Sequence, residues 1–519
     1  MTDVLQTKGF AAVTHAAGVP SSRPASGVVA YWSKQLRFGL AGNTVQALID
    51  GPAAFRAMKT AIDTARDRRH FIYLLGWWVD PWVNLDGHGT SLLDLFSAAG
   101  ERGVQVRVLM WDAPLALYPG HSKLHDAAVT ALNRLPGCHA QQDAGGWAGS
   151  PKSHHQKLLV VNGSSGLVAL AGGVDLNADR IHQLPPPASA FRPDRPDVGW
   201  TGASGSSGSS GGGGGSGNPL HDVHVQLAGP TALPLLRAFL RRWLARSGSR
   251  DIDVSDPLRG RYDHPVPPPT GRHHVRVGET FDGVLQTPKG RVRSRQVSVQ
   301  DIWLRSILGA RRYIYIEEQY LTSDCAAKAI RKVLPRLAHV TILVPPSEIT
   351  DLPGVWRRRK GFIDSITRNN PHAGKLHVYT RTATPESCVR DNGPHLYVHA
   401  KMAVIDDEVM LIGSANCNNR GWETDSELVV AAFEEPESGG STAASRLRAA
   451  LWSHHVGRPV AAVRDPIRSR GLWDTASTRR VCAYDPVAGK DKLGSDRPDR
   501  LTDPSDRRPG DPCVTLLSP

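Results

Sequence analysis

Two kinds of apolar pattern alternate along the chain. Between residues 48 and 78, LIDGPAAFRAMKTAIDTARDRRHFIYLLGWW, Phe55, Met58 and Ile62 recur at the spacing of one helix face before a continuous apolar run. The order repeats in SLLDLFSAAGERG followed by QVRVLMWD (105–112), and again in QDIWLRSILGARRYIYIEEQYL (300–321). VTILVP (340–345) and KLHVYT (375–380) read as further strands. Helices alternating with near-continuous apolar strands predict an α/β protein whose sheet is covered on both faces. Phe71-Ile72-Tyr73 and Tyr313-Ile314-Tyr315 lie 242 residues apart and read as two copies of one lobe, a tandem repeat.

Where periodicity fails, boundaries follow. Residues 1–36 are expected to form an N-terminal arm, 37–255 a first lobe, 256–272 a linker, 273–465 a second lobe and 466–519 a disordered tail rich in Arg, Asp and Pro. The Gly/Ser tract 201–219 reads as an insertion within the first lobe, either an expanded natural loop or an engineered linker.

Composition adds bounds. At 519 residues, with 40% hydrophobic and 21% charged residues, the chain can bury two sizeable cores. No run of 18 apolar residues occurs, and the start lacks a basic segment followed by an apolar one. The expectation is cytoplasmic synthesis without a Sec-type signal. A net charge of +13 favours anionic partners, phospholipid surfaces or nucleic acid, although Arg-rich composition also follows from genomic base bias. The six cysteines show no Cys-x-x-Cys spacing and do not read as a disulfide framework or a metal site.

The chemistry-bearing feature is a duplicated His-x-Lys. His155-Gln156-Lys157 and His399-Ala400-Lys401 lie 244 residues apart, each inside an apolar run expected to be a strand. Side chains at i and i+2 of a strand share a face, so each copy would aim an imidazole and an ammonium at one place. Histidine can serve near neutrality as nucleophile, acid or base, and lysine supplies positive charge for an anion. The adjacent pairs His154-His155, His273-His274 and His454-His455 are not expected to share a metal, because neighbours on a strand point apart. Trp77, Trp78 and Trp82 read equally as core packing or as an acyl-lining wall, and Arg357-Arg358-Arg359-Lys360 as a solvated face.

After Lys401 come Asp406, Gly413-Ser414-Ala415-Asn416, Asn419-Arg420 and Glu427; after Lys157 come Asn162, Gly172-Gly173-Val174-Asp175-Leu176 and Arg180. With GWWVDP, HDVHVQLAGP and IEEQYL, these motifs resemble the phospholipase D superfamily, in its phospholipase D/transphosphatidylase branch, over roughly residues 40–460. The resemblance implies two α/β lobes related by a pseudo-twofold axis, with the active site at their interface. It implies phospholipid hydrolysis to phosphatidic acid through a phosphohistidine, with His155 as nucleophile and His399 as acid and then base. Lys157 and Lys401 would hold the phosphate with Asn416 and Asn177. Asp222 and Glu427 would orient the histidines, Asp222 behind His155. Asn162, Asp406, Ser414 and Arg420 would support the motifs; Asn162 departs from the family's aspartate. No metal or cofactor is implied, and the expected protein is a monomer in peripheral contact with a membrane surface and a candidate for export as a secreted effector. The alternatives are a nucleic-acid phosphodiesterase, an unlikely partner class given the lipid-branch segments, and an inactive lipid-binding protein.

Overall fold

In a computed structural model the chain is described over residues 27–85, 89–114, 119–143, 152–177, 180, 220–246, 264–287, 290–347, 355–381, 397–438, 440–475, 481–486 and 510–517. The Gly/Ser tract and residues 256–263 of the expected linker lie outside these residues.

The first lobe contributes β1 (Leu40–Ile49), β2 (Phe71–Gly76), β3 (Gln105–Trp111), β4 (Cys138–Asp143), β5 (Leu158–Gly163), β6 (Gly166–Gly172), β7 (Leu220–His221) and β8 (Val223–Ala228). The second contributes β9 (His273–Thr287), β10 (Gly290–Val297), β11 (Tyr313–Glu318), β12 (His339–Val344), β13 (Leu376–Arg381), β14 (Tyr397–Val398), β15 (Lys401–Ile405), β16 (Val409–Gly413), β17 (Glu427–Phe433) and β18 (Val481–Ala483). From the centre outward the order β1-β8-β6-β5-β2-β3-β4 is answered by β9-β17-β16-β15-β11-β12-β13. β1 pairs with β9, so the two lobes share one sheet. The repeat seen in the sequence is thus a repeat of strand order, with parallel β2–β3–β4 and β11–β12–β13 and antiparallel pairs toward the centre.

Helices cover both faces. α2 (Asp50–Asp63), α3 (Leu92–Glu101) and α4 (Pro119–Leu132) pack Phe55, Met58, Ile62, Leu95, Phe96 and Leu132 onto one face of the first lobe. α5 (Ala232–Ala245) covers its opposite face with Leu236, Phe239 and Trp243. In the second lobe α6 (Ser298–Gly309), α7 (Asp324–Val333) and α8 (Val355–Thr367) form one layer, and α10 (Ala443–Val456), which follows the short α9 (Asn419–Glu423), the other. The core under α5 and α10 is continuous across the lobes. Burial of this kind stabilises by roughly 25 cal/mol per Å² of apolar surface.

Three expectations are corrected. Part of the N-terminal arm is α1 (Val28–Gln35), whose Trp32 is fully buried beside Trp303 and Ile307 and donates its indole N–H to Glu408 at 2.8 Å. An arm without periodicity still carried one aromatic able to fill a gap in the second lobe. The expected tail is ordered where described: α11 (Pro466–Ser469) packs near α10, β18 extends the sheet beside β13, and α12 (Pro512–Leu517) docks on α6 and α7. A disulfide between Cys325 of α7 and Cys513 of α12 holds that last helix, and Cys482 is disulfide-bonded as well. The cysteines are therefore partly structural, with partners too distant in sequence, 188 residues for Cys325–Cys513, for spacing to reveal them.

Candidate active site

The two His-x-Lys segments lead into regular strands, with Lys401 the first residue of β15. His155 to Lys157 form an extended lead-in to β5, and His399 and Ala400 fill the gap between β14 and β15. Each lead-in is held by the opposite lobe. His155 N–H donates to the Ser426 carbonyl at 3.0 Å, Ser426 N–H donates to the Ser153 carbonyl at 3.0 Å, and Ser153 N–H reaches Asp425 at 2.9 Å. Arg420 fixes that carboxylate with two bonds of 3.0 and 3.1 Å. In the other half β14 pairs in parallel with β7, and His399 N–H donates to the His221 carbonyl at 2.8 Å.

The orienting carboxylates are crossed between lobes. His155 Nδ1 lies 2.7 Å from Glu427 Oε1, and His399 Nδ1 lies 2.7 Å from Asp222 Oδ2. Asp222, expected behind His155, therefore stands behind His399. Strand equivalence identifies which carboxylates are counterparts but not which imidazole each meets, because the lead-ins cross the interface. Leu428 N–H donates to Ser414 Oγ at 3.0 Å, so the Ser414 proton points to Glu427 Oε2 and leaves Oε1 to accept Nδ1–H. Asp222 Oδ1 accepts from Val223 N–H at 2.8 Å, leaving Oδ2 for His399. In both halves Nδ1 carries the proton and Nε2 is left for chemistry. Gly173 occupies the Ser414 position in the first lobe; a Cβ there would fall 2.0 Å from Asp222 Oδ1, so only glycine fits.

The cations face the same place. Lys157 Nζ donates to its own His155 carbonyl at 3.0 Å, lies 3.4 Å from Asp175, and sits 5.5 Å from the Trp77 ring centre. Lys401 donates to Gln319 at 2.7 Å, and Gln319 donates to the Tyr397 hydroxyl at 2.7 Å. Arg180 lies 3.5 Å from Asp175. Burial, followed by the Lys157 and Lys401 ammoniums, holds the His155 pKa well below its ordinary value; burial, Lys401 and Arg180 do the same for His399. Burial lowers Lys401 to about 8 and raises Asp222 to about 6, the latter opposed by Lys401 and Arg180. Lys157, Lys401 and Arg180 together present positive charge to which an anionic phosphodiester could bind.

Asn177 is buried with neither side-chain atom hydrogen-bonded, and Asn416 is buried with Oδ1 unpartnered. Buried amides without partners are costly, and both are ready to bind a ligand. Asp406 accepts backbone N–H bonds from Arg311, Arg312 and Tyr313 at 2.8, 2.8 and 2.9 Å, an anchor under β11 away from the histidines. Asn162 occupies the matching place beside β2 and reaches only the Arg69 carbonyl, at 3.5 Å. Trp77 faces His155 with ring centres 5.8 Å apart, Trp78 is buried, and Trp82 is 47% exposed. Arg359, expected on a solvated face, is fully buried and donates to the Gln319, Tyr320 and Pro345 carbonyls.

Sequence reading missed Gln319, Tyr397 and Asp175 as contacts of the site. Gln319 is signalled by its position, 242 residues after Trp77, which touches the other lysine. The described residues also hold a cluster of His221, Glu317 and His455 whose ligating atoms lie within 4.8 Å of one another.

Two family models match the chain: Phospholipase D over residues 61–332, and Cardiolipin synthase, PLD-like domain, over residues 304–449. Phospholipase D alpha 1 of Nicotiana tabacum is 26% identical and phospholipase D alpha 2 of Oryza sativa subsp. japonica 24%; each alignment covers 78% of this chain. The chain spans 64% of the length of those relatives. Among solved structures, the phosphatidylserine synthase of Haemophilus influenzae Rd KW20 superposes with a TM-score of 0.50 at 12% identity, over 78% of this chain and 86% of that one.

Proposed function

Because this chain belongs to the phospholipase D family, we propose that it is a phospholipase D, hydrolysing the distal phosphodiester of glycerophospholipids to phosphatidic acid and a head-group alcohol. The observation that carries the reading is the pair of imidazoles, each oriented through Nδ1 by a buried carboxylate of the other lobe at 2.7 Å, between two lysines.

The course is a double displacement. Lys157, Lys401, Asn177 and Asn416 bind the non-bridging oxygens. Burial depresses the His399 pKa most, and the charges of Lys401 and Arg180 add to it; the bound phosphate offsets those charges and so favours the imidazolium with substrate present. His155 Nε2 attacks phosphorus, the P–O bond to the head group breaks, and that alkoxide takes the proton of His399 Nε2. In the second step His399 removes a proton from water, the water oxygen bonds to phosphorus, and the P–N bond to His155 breaks. An alcohol in place of water gives transphosphatidylation. Glu427 and Asp222 stabilise the imidazolium formed in each half.

Both halves of the site come from one chain, which supports action as a monomer. The +13 charge supports peripheral contact with anionic membrane surfaces. Disulfides at Cys325–Cys513 and Cys482 support a working place outside a reducing cytosol, in keeping with export.

The test is incubation with phosphatidylcholine, phosphatidylethanolamine and phosphatidylglycerol vesicles in EDTA, beside His155→Ala and His399→Ala. Phosphatidic acid should appear with the unaltered protein and fall at least ~10³-fold with either variant. No release from any lipid would defeat the reading and turn attention to single-stranded and 3′-blocked DNA.

A further inference from the structure

The two orienting carboxylates are not supported alike. Glu427 is fixed locally, by Ser414 of its own lobe. Asp222 belongs to a buried ionic chain that crosses the interface. Its N–H donates to Asp50 Oδ1 at 3.2 Å, and Asp50 N–H donates to the Asp222 carbonyl at 2.9 Å. The same Asp50 oxygen lies 2.7 Å from His221 Nδ1, while His221 Nε2 lies 2.6 Å from Glu317 Oε2 in the second lobe. Glu317 Oε1 is 3.0 Å from His455 Nε2 and also accepts the Tyr315 hydroxyl. His221, Glu317 and His455 have no exposed surface. The position matching His221 in the other half is Ser426, which has no ring to repeat the arrangement.

We infer that His221 is a positioning residue, held as an imidazolium between Asp50 and Glu317, which fixes the Asp222–His399 half of the site and not the Glu427–His155 half.

Three observations converge. His221 precedes Asp222, and its carbonyl receives the His399 N–H, so its backbone holds both members of the pair. Its ring joins an anion of each lobe, fixing it against rotation and translation. Both ring nitrogens lie within 2.7 Å of carboxylate oxygens, which requires a proton on each. That spacing also separates this cluster from a metal site: ligands at about 2.0–2.2 Å from one zinc stand farther apart than 2.6 Å, the His221–Glu317 distance. Burial opposes the charge on His221, but Glu317 and Asp50 outweigh it and bring its pKa to about 10, while His455 is held down to about 4. Among the described residues the ring also faces His454, 6.5 Å between centres, and lies beside Asp222.

The inference rests on the proposed reading for its kinetic arm alone. His221→Asn and Glu317→Gln are compared with Asp222→Asn on phosphatidylcholine and on a 4-nitrophenyl phosphodiester, whose leaving group needs no proton. Asp222→Asn should lose about 10³-fold on the lipid and about 10-fold on the aryl ester; His221→Asn and Glu317→Gln should show the same selectivity at about 10²-fold and below 10-fold. Equal losses on both esters where Asp222→Asn is selective, or no loss, would overturn the inference. An unaltered protein inactive on both esters would defeat the functional reading instead, and a second arm then decides. A His221 pKa raised from 6.5 to about 10 gives stability that is complete below about pH 6.5 and lost as pH rises toward 10. The unaltered protein should lose unfolding temperature between pH 7 and 10, and His221→Asn should not share that slope. Parallel slopes, or stoichiometric zinc surviving EDTA dialysis and lost in His221→Asn, would overturn it.

Discussion

At the scale of single residues, the site places buried carboxyl groups beside lysines and varies what holds them. Glu318 stands where the phospholipase D branch resembled by IEEQYL has asparagine. It is fully buried, lies across β11–β15 from Lys401, and accepts the Cys417 N–H at 2.9 Å through Oε1, while Oε2 has no partner. Burial raises its pKa to about 7, with Lys401 opposing. The folded state therefore binds this proton more tightly than the unfolded state, and stability falls as pH rises from about 4.5 to about 7, where the loss is complete. Glu318→Gln should be little different from the unaltered protein at pH 5 and more stable at pH 8, by an amount on the order of 1–3 kcal/mol. Chemical unfolding at the two pH values measures it; a gap that does not widen with pH would refute the assignment. Residue identities at the heart of the site, both His-x-Lys pairs, Asn416, Asp222 and Glu427, were legible because the chain carries the pattern twice. Gln319 and Asp175 lie within quoted motifs, but their contacts with Lys401 and Lys157 were not legible, since only the folded chain brings them together.

At the scale of elements, sheet strands fix the distance between motifs, and turns tolerate what lies between. His155 and His399 keep the 244-residue offset, whereas Asp222 and Glu427 are 205 apart, because the long segment after β6 belongs to the first lobe alone. The close packing of Gly173 on Asp222 shows how little freedom remains where β6 ends. Gly173→Ala would place Cβ on the carboxylate, so Asp222 must turn away from His399. We expect at least a tenfold loss of turnover for a stability cost of about 1–3 kcal/mol; steady-state kinetics beside thermal unfolding separates the two, and unaltered turnover would show that Asp222 has room to move. The helix and strand that open each lobe, and the strands 105–112, 340–345 and 375–380, were readable from hydrophobic period. The crossing of the lead-ins was not, because parallel β7–β14 pairing and the single His154–Ser426 bridge join segments far apart in sequence and too short to leave a pattern.

At the scale of the whole molecule, one sheet of sixteen strands runs through both lobes among the described residues, and α1 and α12 tie both ends of the described chain onto the second lobe. The Cys325–Cys513 bond closes a long loop and should restrict the unfolded chain by up to about 4–5 kcal/mol. Reduction should therefore lower the unfolding temperature by several degrees; Cys513→Ser should lower it similarly and lose part of its response to reductant. An unchanged melting curve in dithiothreitol would remove the disulfide from the account of stability. Neither the docked termini nor this bond was legible, for the contacts are long-range and their sequences carry one or two anchoring residues each.

The crossed carboxylates also limit how the two lobes can move. A hinge that parted the lobes would pull Glu427 from His155 and Asp222 from His399 in one stroke, and would have to break the β1–β9 pairing as well. Opening and catalysis are mutually exclusive in such a frame. Any substrate must therefore reach the histidines, and any product leave them, without the lobes parting.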